Sequence, residues 1–135
     1  MRRFLCHYLA TILAAPLALV ALGHTATADQ PQLAHMVYFS LKDNSNEAKQ
    51  KLVAACKKYL SGHEGTVYFS AGARATDMNR PVNVQDFDVS LNLVFKDKAA
   101  HDRYAEHPRH LEFIREYQAG WAKVRVFDSY LDQAP

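Results

Sequence analysis

The chain has 135 residues, 49% of them apolar and 22% charged, with a formal charge of +2 and two cysteines. That suffices for one domain with a modest core, and the cysteines are too few for a disulfide framework. The excess charge sits at the extreme N-terminus: without Arg2 and Arg3 the basic and acidic residues balance, so no basic patch remains to neutralise phosphates and no nucleic acid is expected as a partner.

Arg2 and Arg3 precede a mostly apolar run from Leu9 to Leu22, and the stretch ends small-x-small at Ala26-Thr27-Ala28. A basic start, an apolar middle and that ending read as a secretory signal peptide over residues 1–28, with a secreted or periplasmic address. The apolar core is short for a membrane span, and His7 and Pro16 weaken a spanning helix further. An uncleaved anchor is the rival reading; after cleavage no membrane association is expected. Cys6 leaves with the leader and Cys56 stands alone. Residues 29–33 read as a short N-terminal segment, 34–131 as one domain and 132–135 as a tail.

Ala34–Lys42 alternates His35, Val37, Phe39 and Leu41 on one face with Met36, Tyr38 and Ser40 on the other, as a strand does. Asp43–Asn46 supplies turn and cap residues for a helix to about Ser61, with Leu52, Val53, Cys56 and Leu60 on one side and Gly62 closing it. Thr66–Ala75 reads as a second strand. Thr76–Asp86 is a polar loop long enough to suggest binding. Phe87–Phe95 is a third strand, with Phe87, Val89, Leu91, Leu93 and Phe95 on one face.

Asp97 can cap a helix over Lys98–Glu106, and Pro108 forces a break after it, because the residue before a proline is disfavoured in the α region. Pro108 then suits the first position of a second helix, in which His110, Phe113, Ile114, Tyr117 and Trp121 recur at helical spacing up to Gly120. His107 reads as turn chemistry, and His63 and His101 as exposed helix-end or surface residues. Val124–Leu131 is the last strand.

The order β-α-β-β-α-β, with the final helix broken, is the ferredoxin-like pattern: an α+β domain with a four-stranded antiparallel sheet and helices on one face. The other face carries Met36, Tyr38 and Phe127, more apolar surface than a monomer leaves wet, so a homodimer through that face is expected.

The seven residues Tyr104-Ala105-Glu106-His107-Pro108-Arg109-His110 bring a phenol and two imidazoles to the helix break. His110 in a first helical turn should stay neutral, since the positive helix end disfavours imidazolium. A neutral imidazole beside a phenol is an acid–base pair, a polar floor for a ligand, or a structural pair that closes the break. By count alone His35, His107 and His110 could hold zinc or copper, but two of them straddle a proline turn, so no metal site is expected. No cofactor is expected either; an apolar pocket with one histidine would suit haem, but no residue singles it out. Cys56, mid-helix on the apolar face, reads as a small buried hydrophobe.

His35-Met-Val-Tyr-Phe in the first strand, Tyr104-x-x-His107-Pro108-x-His110-x-x-Phe113 at the break and Val126-Phe127-Asp128 in the last strand together resemble the stress-responsive A/B barrel, or Dabb, domains. The resemblance runs from about His35 to Tyr130 and implies a dimeric α+β barrel. Within that family the motif is similar to that of plant polyketide cyclases, where the tyrosine and last histidine catalyse an intramolecular aldol closure without a metal. Carried over by motif position, His110 is the base and Tyr104 the donor, and His35 and Trp121 line the pocket. A further histidine of those cyclases is replaced here by Val89. The expected ligand-binding set is His35, Val37, Phe39, Leu91, Tyr104, His110, Phe113 and Trp121, around a small hydrophobic or aromatic molecule. A cofactor-independent cyclase or lyase and a ligand-free structural dimer are the alternatives.

Overall fold

A computed structural model describes residues 30–132. The expected leader, residues 1–28, lies outside the described residues, as does most of the expected tail. Strand β1 (Gln32–Leu41) leads to helix α1 (Asn46–Leu60), then β2 (Thr66–Ala73), β3 (Val89–Phe95), α2 (Lys98–Glu106), α3 (Pro108–Tyr117), a 3-10 turn (Gln118–Gly120) and β4 (Trp121–Leu131). The sheet is antiparallel in the order β2-β3-β1-β4, the ferredoxin-like arrangement. Among the described residues no helix is long and apolar enough to cross a membrane.

Strand alternation sets the layers. Leu33, Val37 and Phe39 of β1 and Val89, Leu91, Leu93 and Phe95 of β3 are buried against the helices, joined by Leu52, Cys56, Tyr59 and Leu60 of α1. Register ties the two central strands: Leu33 pairs with Phe95, His35 with Leu93 and Val37 with Leu91. β1 starts two residues before the expected boundary because Leu33 has a partner on both sides, Phe95 and Tyr130.

Local chemistry fixes the helix ends. Ser45 Oγ accepts from the Ala48 amide at 3.2 Å, and Asp97 Oδ1 accepts from the Ala100 amide at 2.7 Å, each satisfying an orphan donor of a first turn. The turn into β2 needs Gly65, whose φ of +83° brings its backbone so near α2 that a Cβ there would lie 2.5 Å from the Ala100 Cβ. That close approach seats the N-terminal half of α2 on the sheet.

Other expected boundaries move as well, β2 ending at Ala73 rather than Ala75. Trp121 is not the end of a helix but the first residue of β4: α3 stops at Tyr117, and a bulge pairs Leu41 with Trp121 and Ser40 with Lys123. Phe87 does not share the core face of β3. It stacks edge-on against Tyr38 with ring centres 4.9 Å apart, on the open face of the sheet. Asp88 causes the reversal: its amide donates to the Phe39 carbonyl and its carboxylate accepts from the Leu41 amide at 2.8 Å, so ordinary alternation begins only at Val89. The loop before it lies against the open face of the sheet. Arg74 pins it through the Phe87 carbonyl, and its Met78, Val82 and Val84 border a hollow of about 530 Å³ on the open face with Tyr38 and Phe127.

Candidate functional site

The helical layer does not extend across edge strand β4. Val124, Val126 and Tyr130 pair with the helix-side residues of β1, yet they are 37%, 49% and 60% exposed. Beside this gap a cavity of about 230 Å³ opens between the sheet and the α2–α3 break.

All eight residues expected from sequence line it. His35, Val37 and Phe39 come from β1 and Leu91 from β3; Tyr104 closes it from α2, His110 and Phe113 from α3, and Trp121 from the start of β4. Phe39, Phe113 and Trp121 form one aromatic wall, with ring centres 5.1 to 6.2 Å apart. Sequence reading missed Leu60, Ala105, Ile114, Val124 and Val126, and, of greater chemical weight, His101. His101 is no free surface residue: its side chain is 20% exposed and its ring lies 5.0 Å from that of His35. Its spacing of three from Tyr104 placed both on one face of α2, and that signal was readable.

Tyr104 is 2% exposed, and its hydroxyl has no hydrogen-bond partner among the described residues. Burial pushes its phenol pKa up, with the nearby Cys56 thiol adding a little, so it stays protonated at any physiological pH. The His110 ring lies 4.6 Å away. Its Nδ1 is 2.8 Å from the Ala105 carbonyl, which can only accept, so Nδ1 carries the proton and Nε2 keeps its lone pair. Burial holds the His110 pKa below that of a free imidazole, against the opposing pull of that carbonyl. That direction agrees with the expected neutrality, with desolvation as its largest cause.

His35 donates from Nδ1 to Asp128 Oδ1 at 2.7 Å, across the β1–β4 ladder. Burial lowers its pKa while Asp128 opposes the shift. His107 takes the turn role: it ends α2, and its ring nitrogen accepts from the Arg109 amide to cap α3. It then stacks edge-on against His63 at 4.6 Å, away from the cavity, so His35, His107 and His110 are not assembled round one point. The histidine trio of the cavity is His35, His101 and His110. His63, expected at the surface, is buried. Its Nε2 donates to the Tyr59 carbonyl at 2.9 Å, tying off the end of α1.

The sequence pattern of the Stress Responsive A/B Barrel Domain matches residues 33–131. No curated protein matches the chain. Among solved structures, a Dabb family protein with a ferredoxin-like fold from Mesorhizobium loti is 28% identical, covering 78% of this chain and 100% of its own, with a TM-score of 0.64. A hydroxynitrile lyase from Passiflora edulis is 17% identical over 77% of this chain and 96% of its own, with a TM-score of 0.62. A dimeric ferredoxin-like protein from Thermobifida fusca is 14% identical over 76% and 92%, with a TM-score of 0.62. With its strand order, broken second helical arm and matched length, the chain belongs to the stress-responsive A/B barrel (Dabb) family.

Proposed function

We propose that the protein is an exported homodimer that holds one small hydrophobic or aromatic molecule per subunit beneath the α2–α3 break. The observation that carries this reading is the Tyr104 hydroxyl, buried at the edge of an apolar hollow with no hydrogen-bond partner among the described residues. Leaving such a donor unpaired costs about 1–3 kcal/mol, which a ligand oxygen accepting from it offsets. Size narrows the class. An apolar cavity of about 150 Å³ accepts benzene, so about 230 Å³ suits a single ring with one or two small substituents. His110 Nε2 would accept from a ligand hydroxyl.

Dimerisation rests on the open sheet face, where Met78, Val82 and Phe127 are 45%, 80% and 54% exposed, an apolar patch a second copy would cover. Relatives from Thermobifida fusca, Bacteroides fragilis and Jannaschia are described as dimeric. Export rests on the leader pattern.

Trp121 is the only tryptophan and lines the cavity, so its fluorescence reports occupancy directly. Titration with phenols and other single-ring aromatics should quench or shift it saturably, and native mass spectrometry should show a dimer. Tyr104→Phe should weaken binding about five- to tenfold, one hydrogen bond's worth. An emission spectrum indifferent to every single-ring compound would sink the reading.

A second reading, a cofactor-independent lyase or cyclase, is favoured by the tautomer of His110. A base with its lone pair free stands beside a phenol kept protonated, as needed to take a proton from substrate and hold the developing oxyanion. The Passiflora edulis hydroxynitrile lyase suggests cyanohydrins as a first substrate class to assay, and the cavity volume favours single-ring ones. His110→Ala should cut any such rate by about a hundredfold or more; equal rates in variant and parent would remove the enzyme reading.

A further inference from the structure

Three donors from three elements meet at the mouth of the cavity. His35 comes from β1, His101 from α2 and Asp128 from β4, and one donor atom of each lies within 4.8 Å of the other two. We propose that these residues bind one divalent transition-metal ion, leaving a coordination position open toward the molecule held beneath Tyr104 and His110. Only the ligand-facing half rests on the small-molecule reading above; binding of the ion does not.

The donor set selects the class of ion. Two imidazoles and a carboxylate suit zinc, copper, nickel or iron(II), whereas calcium and magnesium call for oxygen alone. Three protein ligands also leave room for a water or a ligand atom. Zinc holds such donors about 2.0–2.2 Å from itself, so neighbouring donors in a tetrahedral site stand roughly 3.3 Å apart. The His35–Asp128 contact, at 2.7 Å, is shorter than this, and the 4.8 Å limit of the cluster is longer. Asp128 must therefore swing slightly outward while His101 closes in. The Asp128 side chain is 49% exposed on an edge strand and has the freedom to do so. His35, 12% exposed and packed against Phe95 and Tyr104, supplies the fixed point.

A second shell is also present. Nδ1 of His101 lies 3.3 Å from Asp102 Oδ1, and Lys98 holds that carboxylate from one turn earlier. Ligating imidazoles ordinarily keep such a carboxylate behind them, where it fixes ring orientation and raises basicity. His35 and His101 line the cavity while Asp128 is half exposed on edge strand β4, so the three donors lie between the apolar hollow and solvent.

A hydrogen-bonded His35–Asp128 pair alone makes no demand on His101, and this separates the two cases. Tag-free protein is titrated with cobalt(II) while visible absorption is followed, and zinc(II) is then added in competition. One ion per chain is expected, with micromolar or tighter affinity. His101→Ala and Asp128→Asn should each weaken it about tenfold or more. His107→Asn, which keeps a capping side chain, should bind like the parent. Because Asp128 lies at the exposed rim, its variant reads the site even where His101→Ala folds poorly. Absence of saturable cobalt absorption, or unchanged affinity in both ligand variants, overturns the proposal. Cobalt bound normally in Tyr104→Phe supports the ion site independently of the organic ligand. Cobalt bound to a protein whose Trp121 ignores every aromatic compound keeps the ion site and removes its ligand-facing half.

Discussion

Replacing Tyr104 by phenylalanine should make the ligand-free protein more stable. The ring would keep its contacts with Phe95 and His110, whose centres lie 5.0 and 4.6 Å away, and only an unpaired hydroxyl would be lost. An unsatisfied buried polar group costs about 1–3 kcal/mol, and the small void left by the oxygen returns part of that, so a net gain of about 1 kcal/mol is expected. For a chain of this size urea m-values run near ~1.5 kcal/mol per molar, so the unfolding midpoint should rise by roughly 0.7 M. The measurement is urea denaturation at fixed protein concentration, because dimerisation would otherwise shift the midpoint. A fall of the midpoint by a similar amount would show that the hydroxyl is well paired in solution, and the argument for a ligand acceptor would go with it. Stability gained together with affinity lost is the signature of a group kept for function at the fold's expense.

Other sites give independent tests. Burial pushes the Cys56 thiol up to about 12, so in a Cys6→Ser background a disulfide reagent at pH 8 should react only after urea is added; fast reaction of the native protein would contradict a closed α1 interface. Gly65→Ala combines a positive φ with a Cβ driven against Ala100 and should cost about 2–4 kcal/mol by thermal or urea unfolding, whereas Gly62→Ala, with open space around it, should cost about 1 kcal/mol. His63 and His110 have pKa values lowered by burial, so below about pH 6.5 the unfolded chain binds more protons than the folded one. Urea midpoints should therefore fall as pH drops from 7.5 to 5.5, and His63→Gln should flatten that slope. Asp97→Ala should cost about 1 kcal/mol through the lost cap on α2, and a variant as stable as the parent would show that packing on Gly65 alone holds that helix end.

Strand alternation and proline chemistry make the architecture legible in the sequence. Val37, Phe39, Leu91, Leu93 and Phe95 announced the core face by period alone, and Pro108 announced the break. What was not legible depended on contacts between elements. Phe87 continues the alternation of β3 perfectly in sequence, but the Asp88 carboxylate is drawn to the Leu41 amide and turns the chain over. Trp121 fits the helical spacing of α3, yet a bulge opposite Leu41 takes it into β4. His63 and His101 look like solvated helix-end residues until α1 and α2 are packed. One then closes the end of α1, and the other faces the cavity. The eight expected lining residues come together because most of them belong to two periodic faces turned toward each other.

The helix break is what makes the site possible. On one continuous helix, Tyr104 and His110 would be separated by a rise of about 9 Å and roughly 120° around the axis, too far for their rings to touch. Ending α2 at Glu106 and restarting at Pro108 brings the rings to 4.6 Å. The same break leaves the Ala105 carbonyl near the end of α2 without its full helical partner, and it accepts a hydrogen bond from His110 Nδ1–H instead. One interruption thus pairs the two groups and fixes the tautomer that leaves Nε2 free. A proline placed for steric reasons therefore determines which atom of His110 is available to a ligand.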